Sequence, residues 1–202
     1  KKRSLDYETD LIALDTEPEA FVRAFEDQFR KDFFSSAPRH VVFRHAPTLA
    51  NRPPIRFLGR TDVAISEAPE TVADVRSAIR AVKPAAAHCS PLRRCRDSLA
   101  LAVDGIQVPT RCDDRLIEID YGACEGMAIS DARDSFPDLF EAWQRYDDPR
   151  FPNGENTQML LDRVNEFVQQ NWTGTSGNSV VCTHNVVIRT LIGQSLNVPR
   201  HC

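Results

Sequence analysis

No run of apolar residues in this chain approaches the roughly 18 that a membrane-spanning helix needs. No charged-then-apolar leader opens it either, so neither a membrane partner nor export is indicated. A basic excess is also missing. Lys and Arg number 25 against 29 Asp and Glu, a net charge of −4, which argues against nucleic acid as a partner. The six cysteines include no C-x-x-C pair and no His/Cys spacing suits zinc, so no metal site is expected. Scattered through apolar and strand-like runs, they read as buried free thiols in a reducing compartment. A chain of 202 residues does not require a disulfide framework. There is no internal repeat and no low-complexity tract. The chain opens on Lys1 rather than Met, and its natural N-terminus is expected to lie upstream.

What is present is an ordinary globular composition, 42% hydrophobic and 27% charged. It is organised around His40-Val41-Val42-Phe43-Arg44-His45-Ala46-Pro47-Thr48. Strand-favouring residues run into Arg44-His45, and Pro47 stops the strand. Strand-like and helix-like segments then alternate. A helix near 69–82 starts at Pro69 and carries Val72, Val75, Ile79 and Val82 on one side, and a strand at 84–89 precedes a helix at 92–103. A third strand is placed at 108–111, and Ser135-Phe136-Pro137 opens another helix. Thr157 is placed as the cap of a helix whose Leu160, Leu161, Val164, Phe167 and Val168 face the core; a strand at 179–183 and an apolar helix at 186–196 follow. This alternation predicts an α/β fold on a mainly parallel sheet. Residues 1–39 stand apart as an N-terminal extension. Phe21, Phe25, Phe29 and Phe33 form an aromatic stripe on a predicted amphipathic helix, which packs on the main domain or joins it to a covalently linked upstream module.

Ligands of open α/β sheets bind where the chain leaves the carboxyl ends of the strands. Three such ends carry polar groups: Arg44-His45, Ser90 to Arg94, and Thr183-His184. If the strands are parallel neighbours, all three face one crevice. Two histidines, two arginines and an acid around a crevice suit phosphoryl transfer through a covalent intermediate. The planar fork of Arg pairs two phosphoryl oxygens at once, and fixed cations stabilise the charge that develops in transfer. A leaving alkoxide also needs a proton, from an acid whose pKa burial has raised. Glu118 is the candidate, with Asp120 and Glu125 competing. His184 stands before an apolar helix whose N-terminal dipole favours an anion.

These residues resemble the motifs of the histidine phosphatase superfamily, also called phosphoglycerate mutase-like. Arg44-His45-Ala46-Pro47-Thr48, with Asn51 shortly after, is similar to its Arg-His-Gly motif. Phe57-Leu58-Gly59-Arg60-Thr61-Asp62 resembles its glycine-aspartate loop, and Ser90-Pro91-Leu92-Arg93-Arg94-Cys95 its second arginine motif. Arg115 to Gly126 resembles the acid-bearing segment, Pro152-Asn153-Gly154-Glu155-Asn156 the proline-glycine-glutamate turn, and Thr183-His184-Asn185 the second histidine motif. The resemblance implies a three-layer α/β/α sandwich and a phosphatase of small phosphomonoesters, free of metal and cofactor and usually cytoplasmic. By it, His45 would be the phosphorylated nucleophile and Glu118 the proton donor. Arg44, Arg94 and His184 would hold the phosphoryl group, with Asn51, Thr61 and Asn185 in the phosphate-binding set. The short interval from Glu118 to Glu155 resembles the compact phosphatase branch; a mutase-type phosphotransferase and a non-catalytic phospho-ligand-binding module are the alternatives.

Two departures stand beside the expected phosphate site, where Ala46 and Asn185 replace usual glycines. The family normally continues beyond the point matching Cys202, so the domain at 40–202 is expected to lack a C-terminal segment or to be completed by the extension. Arg52, Arg56 and Arg60 suggest an anionic or polyhydroxylated substrate such as a sugar phosphate. Glu155 either contacts substrate or starts the helix after it. His40, His88 and His201 belong to no motif and read as structural or exposed. Cys89 lacks the arginine six residues on that a cysteine phosphatase needs, since position 95 is Cys.

Overall fold

The structure, a computed structural model, describes residues 38–66, 71–174 and 177–195. The N-terminal aromatic stripe, Pro69 and His201 lie outside them. The sheet is built on β4 (Ser179–Thr183), whose five residues are all buried. It pairs in parallel with β1 (His40–Arg44) on one side and β2 (Ala86–Cys89) on the other. β3 (Thr110–Cys112) extends the sheet beyond β2, giving the order β1-β4-β2-β3. A strand covered on both faces needs apolar residues at every position, and Val180-Val181-Cys182 supplies them.

Successive side chains of β4 point to opposite faces. Val180 and Cys182 join Ala87, Cys89, Ile79, Cys95 and Leu99 in one core. Val181 joins Leu160, Val164, Phe167, Val187 and Leu191 in the other. The first face is covered by α1 (Thr71–Val82) and α2 (Arg93–Ala102). On the second, α3 (Ile129–Ser135) and α4 (Pro137–Gln144) add Ala132 and Leu139 to the same core on which α5 (Thr157–Asn171) and α6 (Asn185–Ser195) lie. The three layers expected from the resemblance are therefore present. Among the described residues no helix is long and apolar enough to cross a membrane.

Local chemistry moves several boundaries. β3 begins at Thr110 rather than 108, because Pro109 has no N–H for the ladder, although its carbonyl accepts the Ala87 N–H at 2.8 Å. The cap of α5 is Asn156, not Thr157. Its side chain accepts the Met159 N–H at 3.0 Å, while the Asp148 carboxylate accepts those of Thr157 and Gln158, both at 2.9 Å. α3 escapes sequence reading because it buries only Ala132, leaving no apolar stripe. His40 stacks on Trp172 and His88 meets Phe167 edge-on, both structural as expected. Of the five described cysteines, Cys112 is exposed and four are buried.

Arg163 of α5 ties the segment between β3 and α5 together. Its Nε and Nη2 donate to Glu155, both at 2.9 Å, and its Nη1 to the Arg115 and Ile117 carbonyls at 2.7 and 2.6 Å. Nη2 also reaches the Glu118 carbonyl at 3.1 Å. Glu155 further accepts the Asp120 N–H at 2.9 Å and Arg60 Nη2 at 3.2 Å, so it serves as an internal tie rather than a helix start. Breaking such a pair leaves an unanswered charge and orphaned carbonyls. Arg163→Met is expected to lower the unfolding free energy by about 3 kcal/mol in urea denaturation. A loss below about 1 kcal/mol would mean that the tie is redundant.

Candidate active site

The carboxyl ends of β1, β2 and β4 bring His45, Ser90 and His184 together. The His45 backbone N–H donates to the Thr183 carbonyl at 3.0 Å, and the two histidine rings lie 5.2 Å apart between centroids, tilted by 60°. His45 Nδ1 sits 2.8 Å from the Ala46 carbonyl. A carbonyl only accepts, so Nδ1 carries the proton and Nε2 keeps a free lone pair. Burial, with the positive charges of Arg94 and Arg44 adding to it against the Ala46 carbonyl, lowers the His45 pKa from 6.5 to about 4. The ring is neutral near pH 7.

Arg94 has no exposed surface. Its Nη2 donates to the Gly59 carbonyl at 2.8 Å, its Nη1 to the Thr61 carbonyl at 2.7 Å, and its Nε to His184 Nδ1 at 3.3 Å. An arginine cannot accept, so His184 Nδ1 is the unprotonated nitrogen and Nε2–H faces Ser90 Oγ at 2.8 Å. Cys95 Sγ lies 3.4 Å from the same Nε2. Burial first, and then Arg94, His45 and Arg44, hold the His184 pKa far below the usual histidine range.

Of the three competing acids, two are engaged elsewhere. Glu125 accepts the N–H groups of Gly59 and Thr61 at 3.0 Å and the Thr61 hydroxyl at 2.7 Å. Asp120 accepts the Gly122 N–H at 2.8 Å and lies 3.9 Å from Arg60 Nε. Glu118 is buried, and among the described residues its carboxylate accepts only the Ile119 and Val186 N–H groups, at 3.0 and 3.2 Å. Burial raises its pKa against those two amides and the charges of Arg94 and Arg44. It is the acid whose surroundings favour a held proton.

The other expected phosphate contacts are spread over the crevice. Arg44 is exposed and its side chain makes no hydrogen bond to another described residue, while its charge acts on His45, His184 and Glu118. Asn185 is exposed at the start of α6. Asn51 Oδ1 accepts the Thr48 N–H at 2.9 Å and hydroxyl at 3.1 Å, so its amide N–H groups remain for a ligand. The Thr61 hydroxyl and N–H are both held by Glu125. Ser90 and Cys95, which flank His184, went unassigned in sequence reading; their place in the second arginine motif was the available signal. No group of three or more His, Cys, Asp or Glu among the described residues is placed to hold a metal ion.

Residues 41–201 match the family model of the histidine phosphatase superfamily, branch 1. A bifunctional protein of Mycobacterium tuberculosis is 31% identical over 114 residues, which span 56% of this chain and 31% of that protein. Phosphoserine phosphatase 1 of Hydrogenobacter thermophilus is 27% identical over 118 residues, 55% of this chain and 54% of that protein. The chain thus spans well under two thirds of either relative. A solved mycobacterial glucosyl-3-phosphoglycerate phosphatase superposes with a TM-score of 0.69 at 25% identity, covering 82% of this chain and 85% of that one.

The depressed histidines make stability depend on pH. Between about pH 6.5 and 4 the unfolded chain binds a proton that folded His45 refuses, so stability is complete above 6.5 and lost as pH falls through 4. His184 adds to the same trend. Urea midpoints are expected to fall across this window, and to fall less in His45→Asn, whose amide can still donate to the Ala46 carbonyl. An identical pH dependence in the variant contradicts the assignment.

Proposed function

The chain belongs to the histidine phosphatase superfamily, and on that premise we propose that it hydrolyses a small phosphomonoester through a phosphohistidine on His45. The observation that supports this reading is the free Nε2 of His45, left by the Nδ1 contact to Ala46, on a ring 5.2 Å from that of His184, to which Arg94 donates. In the first step Nε2 attacks phosphorus and the bond to the leaving oxygen breaks. Glu118 gives that oxygen its proton. In the second step the Glu118 carboxylate takes a proton from water, whose oxygen attacks phosphorus, and the N–P bond breaks. Arg44 and Arg94 hold the equatorial oxygens throughout, with Asn51 and Asn185 assisting, and His184 joins them by turning its one N–H, on Nε2, from Ser90 Oγ to the phosphoryl group.

The phosphatases among the similar proteins support hydrolysis. The substrate class we favour is an anionic sugar or polyol phosphate, in keeping with the similar mycobacterial glucosyl-3-phosphoglycerate phosphatase. The loop arginines lend this little support: Arg56 is bonded to the Gly126 carbonyl at 2.9 Å and Arg60 to Glu155 at 3.2 Å. The proposed compartment is the cytoplasm, usual for the family.

Incubation with a panel of radiolabelled phosphomonoesters, without added bisphosphoglycerate, is expected to release inorganic phosphate and to leave acid-labile label on the protein. Both are expected to vanish in His45→Ala. Phosphate release with label retained in that variant contradicts the nucleophile, and transfer only to an added acceptor would indicate a mutase. Glu118→Gln is expected to lower kcat/KM by about 10²- to 10³-fold. The profile of kcat/KM should fall on the acid side near pH 4, where His45 is protonated, and on the alkaline side as Glu118 loses its proton. An alkaline limb that survives unchanged in Glu118→Gln contradicts the acid.

A further inference from the structure

Cys89 ends β2, Cys112 ends β3, and the two are register partners on adjacent parallel strands. Their Sγ atoms lie 3.7 Å apart. Neighbouring strands run about 4.8 Å apart, inside the roughly 4.4 to 6.8 Å over which disulfides span their Cα atoms. β3 is an exposed edge strand of three residues. Cys112 is open to solvent while Cys89 is buried. The residue after Cys89 is Ser90, whose N–H donates to the Cys182 carbonyl at 3.1 Å and whose Oγ meets His184 Nε2 at 2.8 Å.

We propose that Cys89 and Cys112 form a peroxide-sensitive dithiol site, and that closing their disulfide disturbs the active site through Ser90. The Cys112 thiolate attacks one peroxide oxygen and the O–O bond breaks. Cys112 becomes a sulfenic acid, and with a proton the other oxygen leaves as water or an alcohol. The Cys89 sulfur then displaces the sulfenic hydroxyl, which departs with the Cys89 proton as water. The peroxide gains two electrons, one from each sulfur, and a dithiol reductant reverses the bond. Burial holds the Cys89 thiol protonated, so the first oxidation falls on exposed Cys112. Closure draws in the backbone that carries Ser90, and displacing an active-site partner by even an ångström is enough to cost about tenfold or more in turnover.

The turnover readout rests on the proposed phosphatase reading; the linkage readout does not. The full chain is treated with hydrogen peroxide and mapped by non-reducing peptide mass analysis. The expected product is a Cys89–Cys112 linked peptide, reversed by dithiothreitol and absent in Cys112→Ser. Reduced wild type, but not Cys112→Ser, is expected to be retained by immobilised phenylarsine oxide, which chelates paired thiols. Oxidation is expected to lower phosphatase turnover about tenfold in wild type and to leave Cys112→Ser unchanged. Sulfinic acid at Cys112 without linkage, or linkage with unaltered turnover, overturns the proposal. Should the reduced chain hydrolyse no phosphomonoester, the linkage decides this proposal and the failure belongs to the functional reading.

Discussion

A guanidinium with no exposed surface dominates the crevice. Arg94 carries a full charge into the interior, where its hydrogen-bonding partners are two carbonyls and an imidazole nitrogen, all neutral. Stripping water from a cation costs several kcal/mol, and neutral dipoles return only part of it. Burial accordingly pulls the Arg94 pKa down, with Cys95, Glu118, Asp62 and Glu125 opposing. A phosphoryl dianion arriving beside it would restore the missing countercharge. On the proposed reading, much of the reorganisation that anion binding needs would thus be completed when the chain folds.

The surroundings hold that cation in place. Glu125 fixes the Gly59–Thr61 loop through both backbone N–H groups, which aims two carbonyls at Arg94. Gly59 is required by close approach, since a Cβ there would run into the Ile119 carbonyl oxygen and stand 2.9 Å from Glu125 Oε2. Arg94 also sets the His184 tautomer, and His184 passes the constraint to Ser90. Behind Glu118, Arg163 and Glu155 anchor the backbone that carries the acid. A buried carboxyl held toward its protonated form then coexists with a histidine kept neutral, the separation of roles that the proposed acid and nucleophile would require.

Both histidines of the proposed catalytic set are legible in the sequence because each sits at a strand end, and strand ends announce themselves by an apolar run meeting a polar residue. Arg44-His45 and Thr183-His184 are of this kind. Arg94 is less visible: among Arg93, Arg94 and Arg96 only a motif distinguishes the buried cation from its solvated neighbours. The ties are not legible at all. Arg163 meets Glu155 across a helix start, and Cys89 meets Cys112 across a ladder whose register no local pattern specifies. Asn156 outranks Thr157 as cap because Asp148, eight residues before Asn156, already occupies the next two amides. The loop arginines misled for a related reason, since carbonyl and carboxylate partners exist only after folding.

The central claim is that the protein holds His45 neutral, with its proton on Nδ1 and its lone pair on Nε2. Nitrogen-15 NMR of the imidazole rings tests this directly in the ligand-free chain near pH 7. The expected spectrum gives His45 one protonated nitrogen, Nδ1, and one bare nitrogen, Nε2. A proton on Nε2 with Nδ1 bare, or a doubly protonated His45 ring at that pH, contradicts the account.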